Sequence, residues 1–126
     1  NNVIGRALTH VAGQDGQFVA GGTGVFAGIL SGRHQYALQG DGQSALAPVL
    51  TVPNELPVEA VTMTSGIIVV LGGAGAIGDK VAFAADGSLV AAPGGTAPTD
   101  TTLIENSKIV FQNIPAAGLA IIQLTE

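Results

Sequence analysis

Glycine and proline interrupt this chain from end to end, nineteen and six of them in 126 residues, rather than gathering in one linker. Uninterrupted stretches are short, which leaves little room for long helices, since an interior Gly costs about 1 kcal/mol and an interior Pro about 3 kcal/mol relative to Ala. Val, Ile and Thr fill much of the sequence between them. Their branched Cβ atoms pack well on a pleated surface and favour strands. Turn signals recur about every eight to twelve residues, the rhythm of a sandwich or barrel.

Read in order, the pattern predicts strands over residues 3–9, 17–20, 25–30, 48–52, 58–63, 67–71, 79–84, 88–91, 108–112 and 119–124, with a short edge piece at 36–38. Gly28 falls inside the third of these and marks a bulge or a close backbone approach. Ile67-Ile68-Val69-Val70-Leu71 contains no polar residue, which predicts burial on both faces at the centre of the module. Asp86-Gly87 between two apolar runs predicts a hairpin with a type I′ turn, both of whose central residues need φ > 0. Residues 103–113 are the one stretch that could host a helix, with Glu105 and Lys108 at i,i+3. The β-rich run from Lys108 to Gln112 favours a strand there instead. The expected fold is all-β: a jelly-roll-like β-sandwich or a β-barrel of about ten short strands with little or no helix. Residues 1–126 are long enough for one domain with a single core.

Candidate chemistry is sparse. Gly73-Ala74-Gly75-Ala76-Ile77-Gly78 spells GxGxxG after a strand. That fingerprint works when a helix follows, because the helix N-terminus receives the pyrophosphate. Here a hairpin at Asp86-Gly87 follows, so the glycines are expected to turn a strand, and no nucleotide cofactor is predicted. Asp100, about 20 residues on, has the spacing of a ribose ligand but the wrong elements before it. The two histidines, His10 and His34, lack metal-ligand spacing with each other or with Asp15 and Asp41. Ser65-Gly66 has no GxSxG context. Glu55 and Glu59, four apart on a strand, would stand about 13 Å from each other, beyond the usual glycosidase separation. No enzyme, metal or cofactor is expected. Of the five aromatic residues, Phe18, Phe26, Phe83 and Phe111 fall in or beside strands and are expected in the core; Tyr36 is expected to be exposed.

Only 10% of residues are charged, against roughly 25% in an average soluble domain. With 47% apolar residues, such a chain is expected to bury surface against other chains. The net charge of −5 and four dispersed basic residues, Arg6, Arg33, Lys80 and Lys108, argue against nucleic-acid binding, which needs cations to neutralise phosphates. Cysteine is absent, which removes disulfides and thiolate metal sites. The start at Asn1-Asn2 shows no basic or apolar leader, so no signal peptide is expected, and the missing initiator Met points to processing or to a start that lies before Asn1. The most apolar window, residues 66–77, is too short and Gly-rich to span a bilayer.

Several ordered segments carry a family resemblance: Phe26-Ala27-Gly28-Ile29-Leu30, Arg33-His34-Gln35-Tyr36-Ala37, Leu46-Ala47-Pro48, Leu50-Thr51-Val52-Pro53-Asn54, and Val58-Glu59. Gly66-Ile67-Ile68-Val69, Ile77-Gly78-Asp79-Lys80-Val81 and the closing Ala117-Gly118-Leu119-Ala120-Ile121-Ile122-Gln123-Leu124-Thr125 continue it. Together they resemble the structural cement (capsid decoration) proteins of tailed bacteriophages over nearly the whole chain. The resemblance implies a non-enzymatic protein on the outer surface of the virion, binding the major capsid protein, bridging its subunits and resisting the pressure of packaged DNA. A homodimer is favoured over a homotrimer, closed symmetry being the usual outcome. Partner contacts are expected at Asn1, Asn2 and Val3 and at the loop carrying Arg33, His34 and Tyr36, since Arg and aromatic residues are enriched at interfaces. The alternative is a carbohydrate- or receptor-binding β-sandwich module of a virion surface protein, which would show several exposed rings on one face.

Overall fold

The computed structural model describes residues 3–32 and 59–125. They form ten strands: β1 (Ala7–His10), β2 (Phe18–Ala20), β3 (Phe26–Gly32), β4 (Glu59–Val61), β5 (Thr64–Leu71), β6 (Lys80–Ala84), β7 (Leu89–Ala92), β8 (Thr101–Ile104), β9 (Ser107–Val110) and β10 (Gly118–Leu124). The helical content of the described residues is one 3-10 turn at Pro93–Gly95. The all-β expectation holds, as does the placing of most strands. The strand pieces expected at 36–38 and 48–52 lie outside the described residues.

The strands make two sheets, one of four in the order β2-β1-β3-β4 and one of six in the order β8-β6-β7-β5-β10-β9. All neighbours are antiparallel except β5 and β7. Strands β8 and β9 stand at opposite ends of the larger sheet, yet only Glu105 and Asn106 separate them in sequence. The sheet therefore curls. Its β9 edge meets the entrance of β6, where the Ile109 N–H donates to the Asp79 carbonyl at 2.8 Å and the Gly78 N–H to the Ile109 carbonyl at 2.9 Å. Alternate residues of the curled sheet point into its interior: Val69 and Leu71, Val81 and Phe83, Leu89, Ile104, Ile109, Ala120, Ile122 and Leu124 are buried in one cluster. The smaller sheet adds Ala7 and Ile29 to that cluster, with Phe26 packed against it and its ring centroid 6.0 Å from that of Phe83. On the opposite face of the small sheet, Leu8, Ala20 and Leu30 form a second cluster.

Four sequence expectations need correction or completion. Ile67 to Leu71 is central in its sheet, but it is not buried on both faces: Val69 and Leu71 are buried while Ile68 and Val70 are exposed. An unbroken apolar run marks burial on both faces only if both faces are covered within one chain. The hairpin at Asp86-Gly87 forms between β6 and β7, but its turn is not type I′. Gly87 alone has positive φ, at 85°. The Gly87 N–H donates back to Ala84 at 2.9 Å, and the Ala84 N–H to the Ser88 carbonyl at 2.9 Å. This is the turn followed by a left-handed glycine that closes a three-residue hairpin loop. The stretch 103–113 holds no helix; it contains the end of β8, a two-residue corner and β9, so β8 is an added strand. Finally, Phe111 is 75% exposed and Phe18 41%, while Phe83 is core as expected.

Gly28 marks an irregularity as expected, since the β1–β3 register shifts beside it. A Cβ there would lie 3.0 Å from the Val61 carbonyl oxygen.

Candidate docking surface

The GxGxxG segment is consumed by structure. Gly75 and Ile114 exchange backbone hydrogen bonds at 2.9 and 2.8 Å. The Ala76 N–H is bound by the Asp79 carboxylate and the Ile77 N–H by the Asn113 side-chain oxygen, each at 2.9 Å. The N–H groups of Gly75, Ala76, Ile77 and Gly78 are thus occupied, and β6 follows rather than a helix. A Cβ on Gly75 would lie 2.6 Å from Ile109 Cδ1 and 2.9 Å from Ala91 Cβ, so this glycine lets a connection press against the core.

The remaining chemical candidates stay apart. His10 is exposed at the end of β1, its ring 5.1 Å from that of Phe18. Among the described residues no three His, Asp or Glu side chains come together. Ser65 and Glu59 are exposed strand residues. A shallow groove lined by Val25, Phe26, Thr62, Leu103 and Glu105 holds one titratable group, and the Lys80 ammonium binds that group, Glu105, at 2.7 Å.

The two sheets are fastened at one corner. The Gly22 N–H donates to the Ala85 carbonyl at 2.7 Å and the Ala7 N–H to the Gly87 carbonyl at 2.9 Å, while the Gly21 N–H continues the β1–β2 ladder by donating to the Ala7 carbonyl at 2.8 Å. Arg6 Nη1 adds a 2.8 Å bond to the Asp86 carbonyl and a 3.4 Å ion pair with its carboxylate. The Asp86 carboxyl is held below its ordinary value, first by the Ser88 hydroxyl at 2.6 Å and the Ser88 N–H at 3.0 Å, then by the Arg6 charge.

Of the residues expected at the partner contact, Asn1, Asn2, Arg33, His34 and Tyr36 lie outside the described residues. Val3 is half-buried, and its carbonyl accepts from the Arg6 N–H at 3.2 Å. Two residues on, the Gly5 N–H donates to the Leu30 carbonyl at 2.7 Å. The N-terminal segment thus lies along the end of β3. There Gly32 pairs with Glu59, the two residues between which positions 33–58 leave and return.

The sequence reading missed a different surface, the outer wall of the curled sheet over β5, β10 and β9. Register pairs Val70 with Leu119 and Ile68 with Ile121, and Ile121 in turn with Val110. Residues directly opposite each other share a face, so these side chains form one stripe across three strands. Ile68, Val70 and Leu119 are 66%, 64% and 64% exposed, and Phe111 at the end of β9 is 75% exposed. Phe111 holds a φ of 72°, a conformation uncommon for a bulky residue. Its ring edge would lie 3.8 Å from a Cβ on Gly66, an ordinary van der Waals distance, so the ring lies beside Gly66 on the wall. The signal was present in residues 119–122, where the outward positions Leu119 and Ile121 are as apolar as the inward Ala120 and Ile122.

The described residues thus form an all-β body with an apolar wall on its larger sheet. The chain belongs to the phage structural cement proteins: the family model described as "Structural cement protein (E217 gp24/Pam3 gp6)" matches residues 1–125. No curated protein matches it. Membership makes it a structural component of the phage capsid, associated with capsid proteins and serving to stabilise the capsid.

Proposed function

We propose that this chain is a non-enzymatic cement protein on the outer surface of the virion, where it binds the major capsid protein and bridges neighbouring subunits of the shell. The family match over essentially the whole chain carries the reading. Residues 1–126 act as one β domain. The net charge of −5 suits a position away from packaged DNA, because a surface short of cations gains little from phosphates. Among the described residues no helix is long and apolar enough to cross a membrane, and neither nucleic acid nor membrane is a partner in this reading. The protein works as a homo-oligomer, with a dimer favoured.

The shell contact is made by Asn1, Asn2 and Val3 together with Arg33, His34 and Tyr36. The position of Val3 supports this pairing, since its segment runs beside the end of β3 from which residue 33 continues. The carbohydrate-binding alternative draws less support: of the exposed described rings, His10 and Phe18 pair on the smaller sheet while Phe111 follows β9 of the larger one, so they do not gather on one face. The test is addition of purified protein to expanded capsids that lack it. Binding with a raised capsid melting temperature is the expected result. If the protein neither binds nor changes the heat resistance of the shell, the reading fails.

A further inference from the structure

We infer that the outer edge of β8 is a strand-addition site, which takes one extended segment of a capsid protein into the groove between β8 and the start of β3. The inference rests on the cement reading for the source of that segment; the chemistry of the segment follows from the edge.

The hairpin beside β8 sets the direction of its main-chain groups. The Ala84 N–H donates to the Ser88 carbonyl and the Ala84 carbonyl accepts from the Gly87 N–H, both at 2.9 Å. Ala84 thus turns its polar groups toward β7. Successive residues turn theirs to opposite sides, which aims those of Phe83 and Val81 at β8. Their partners there are Thr102 and Ile104, and Ser107 Oγ bridges the Val81 N–H to the Ile104 carbonyl. Leu103 lies between these two, so its N–H and carbonyl point the other way, off the end of the sheet. The Thr101 carbonyl points with them, while the Thr101 N–H is taken by the Pro98 carbonyl at 3.2 Å. β8 ends its sheet, and among the described residues no strand pairs with this side. Such an edge is a template for another extended chain.

The edge opens into a groove of about 690 Å³, with residues 102–106 on one side and Val25, Phe26 and Thr62 on the other. At about 3.3 Å per residue the five residues of the β8 side span about 16 Å, the length of one short strand. Phe26 packs there against the core cluster, its ring near that of Phe83. An added strand would rest alternate side chains on Phe26, which favours an apolar residue at that position. The one carboxylate of the groove, Glu105, is met by Lys80 at 2.7 Å, so nothing calls for a charged side chain. The segment that fits is extended, uncharged and apolar on its inner side.

Two other occupants fit less well. In a second copy β8 stands behind the same far side of the groove, which blocks the symmetric pairing of β8 with β8 that would close a dimer. Positions 33–58 leave from Gly32 and return at Glu59, and would have to double back along β3 to reach Phe26, about 20 Å away by strand rise. A segment of another protein meets neither obstacle. The position also suits the task. The contact proposed for Asn1 to Val3 lies at the Gly32 end of β3, and the groove lies at its Phe26 end. One copy would then hold the shell at both ends of one strand, as bridging neighbouring subunits requires.

The experiment measures binding of the full chain to expanded capsids that lack it, for wild type, Leu103→Pro, Leu103→Ala and the control Phe18→Pro. Proline at 103 removes an N–H that β6 does not use and sets a ring on the edge. Phe18 lies on the end strand β2 and also points its N–H outward, since the Gly21 N–H of that ladder bonds Ala7. Phe18→Pro is expected to bind like wild type and Leu103→Pro at least about tenfold more weakly, through a lost ladder bond. Leu103→Ala keeps the N–H and should lose less. Circular dichroism checks that each variant is folded. Hydrogen exchange at the Leu103 amide needs no variant: it is expected to be fast in the free chain and to slow at least about tenfold on the capsid. Folded Leu103→Pro that binds like wild type, equal losses in both Leu103 variants, or an amide unchanged on the capsid overturns the inference. So does an amide already slow in the free chain. Slow at every concentration, it assigns the groove to residues 33–58; slowed only on concentration, it assigns the groove to a second copy. A wild type that does not bind capsids overturns the proposed function, and is told apart because no variant then differs from it.

Discussion

The corner that joins the two sheets depends on a residue with no side chain, and Gly21→Ala tests it. Gly21 has a φ of 78°, a left-handed conformation that costs an L-residue about 1–2 kcal/mol. The added Cβ would lie 2.2 Å from the Ala85 carbonyl oxygen and 2.5 Å from the Gly87 nitrogen. Both atoms are backbone, so no rotamer change relieves the overlap. The hairpin turn at Ala85 to Gly87 must move away, and with it go the bonds from Gly22 N–H to Ala85 and from Ala7 N–H to Gly87, now 2.7 and 2.9 Å. Each is worth about 1 kcal/mol net. The expected loss is about 3–4 kcal/mol out of the 5–15 typical of a domain. With a urea m-value near 1–3 kcal/mol per molar, the midpoint should fall by roughly 2 M. Gly73→Ala is the control, since nothing lies within 4 Å of its Cβ position; it should stay within about 0.5 kcal/mol of wild type. Amide exchange should locate the damage, with protection lost first at Ala7 and Gly22. If Gly21→Ala costs less than about 1 kcal/mol, or no more than Gly73→Ala, the two sheets are not fastened at this corner.

Two further substitutions probe single contacts. Ser107 is buried, its hydroxyl accepting from the Val81 N–H at 2.9 Å and donating to the Ile104 carbonyl at 2.6 Å. Ser107→Ala should cost about 1–3 kcal/mol by leaving the Val81 N–H unsatisfied, and equal denaturation midpoints for the two proteins would contradict that. The Asp86 carboxyl is lowered below 3.8 by Ser88 and Arg6, so its stabilising contribution is complete above that value and is lost as pH falls through the lower folded value. Asp86→Asn should therefore lower the plateau of the stability curve at neutral pH and flatten its acid limb below about pH 4, both by a small amount because the carboxylate is exposed. Parallel stability curves from pH 2 to 6 would show that the carboxylate's charge is not what Ser88 and Arg6 hold.

How much of this was legible follows from which forces act locally. The strands at β5, β6, β7 and β10 could be read because branched residues and turn-forming glycines specify them within a few positions, and the refusal of GxGxxG as a phosphate loop rested on an equally local fact, the hairpin that follows. The turn type at Asp86-Gly87 could not be read, because Asp86 is held by Ser88 and by Arg6, the latter 80 residues away in sequence. Nor could the corner at Glu105-Asn106. It exists because the sheet curls and brings β9 round to Asp79, a contact between elements about 30 residues apart. The misreading of Ile68 and Val70 has the most consequence for function. An apolar run predicts that both faces will be covered, and it does not say by what. Among the described residues the face of Val69 and Leu71 is covered, by the interior of the curled sheet, and that of Ile68 and Val70 is exposed. The apolar run therefore records an environment larger than the described residues supply. The low charge content points the same way: a surface with few solvating groups is tolerable when partners occupy it. The two observations together are what a protein that functions only within an assembly would carry.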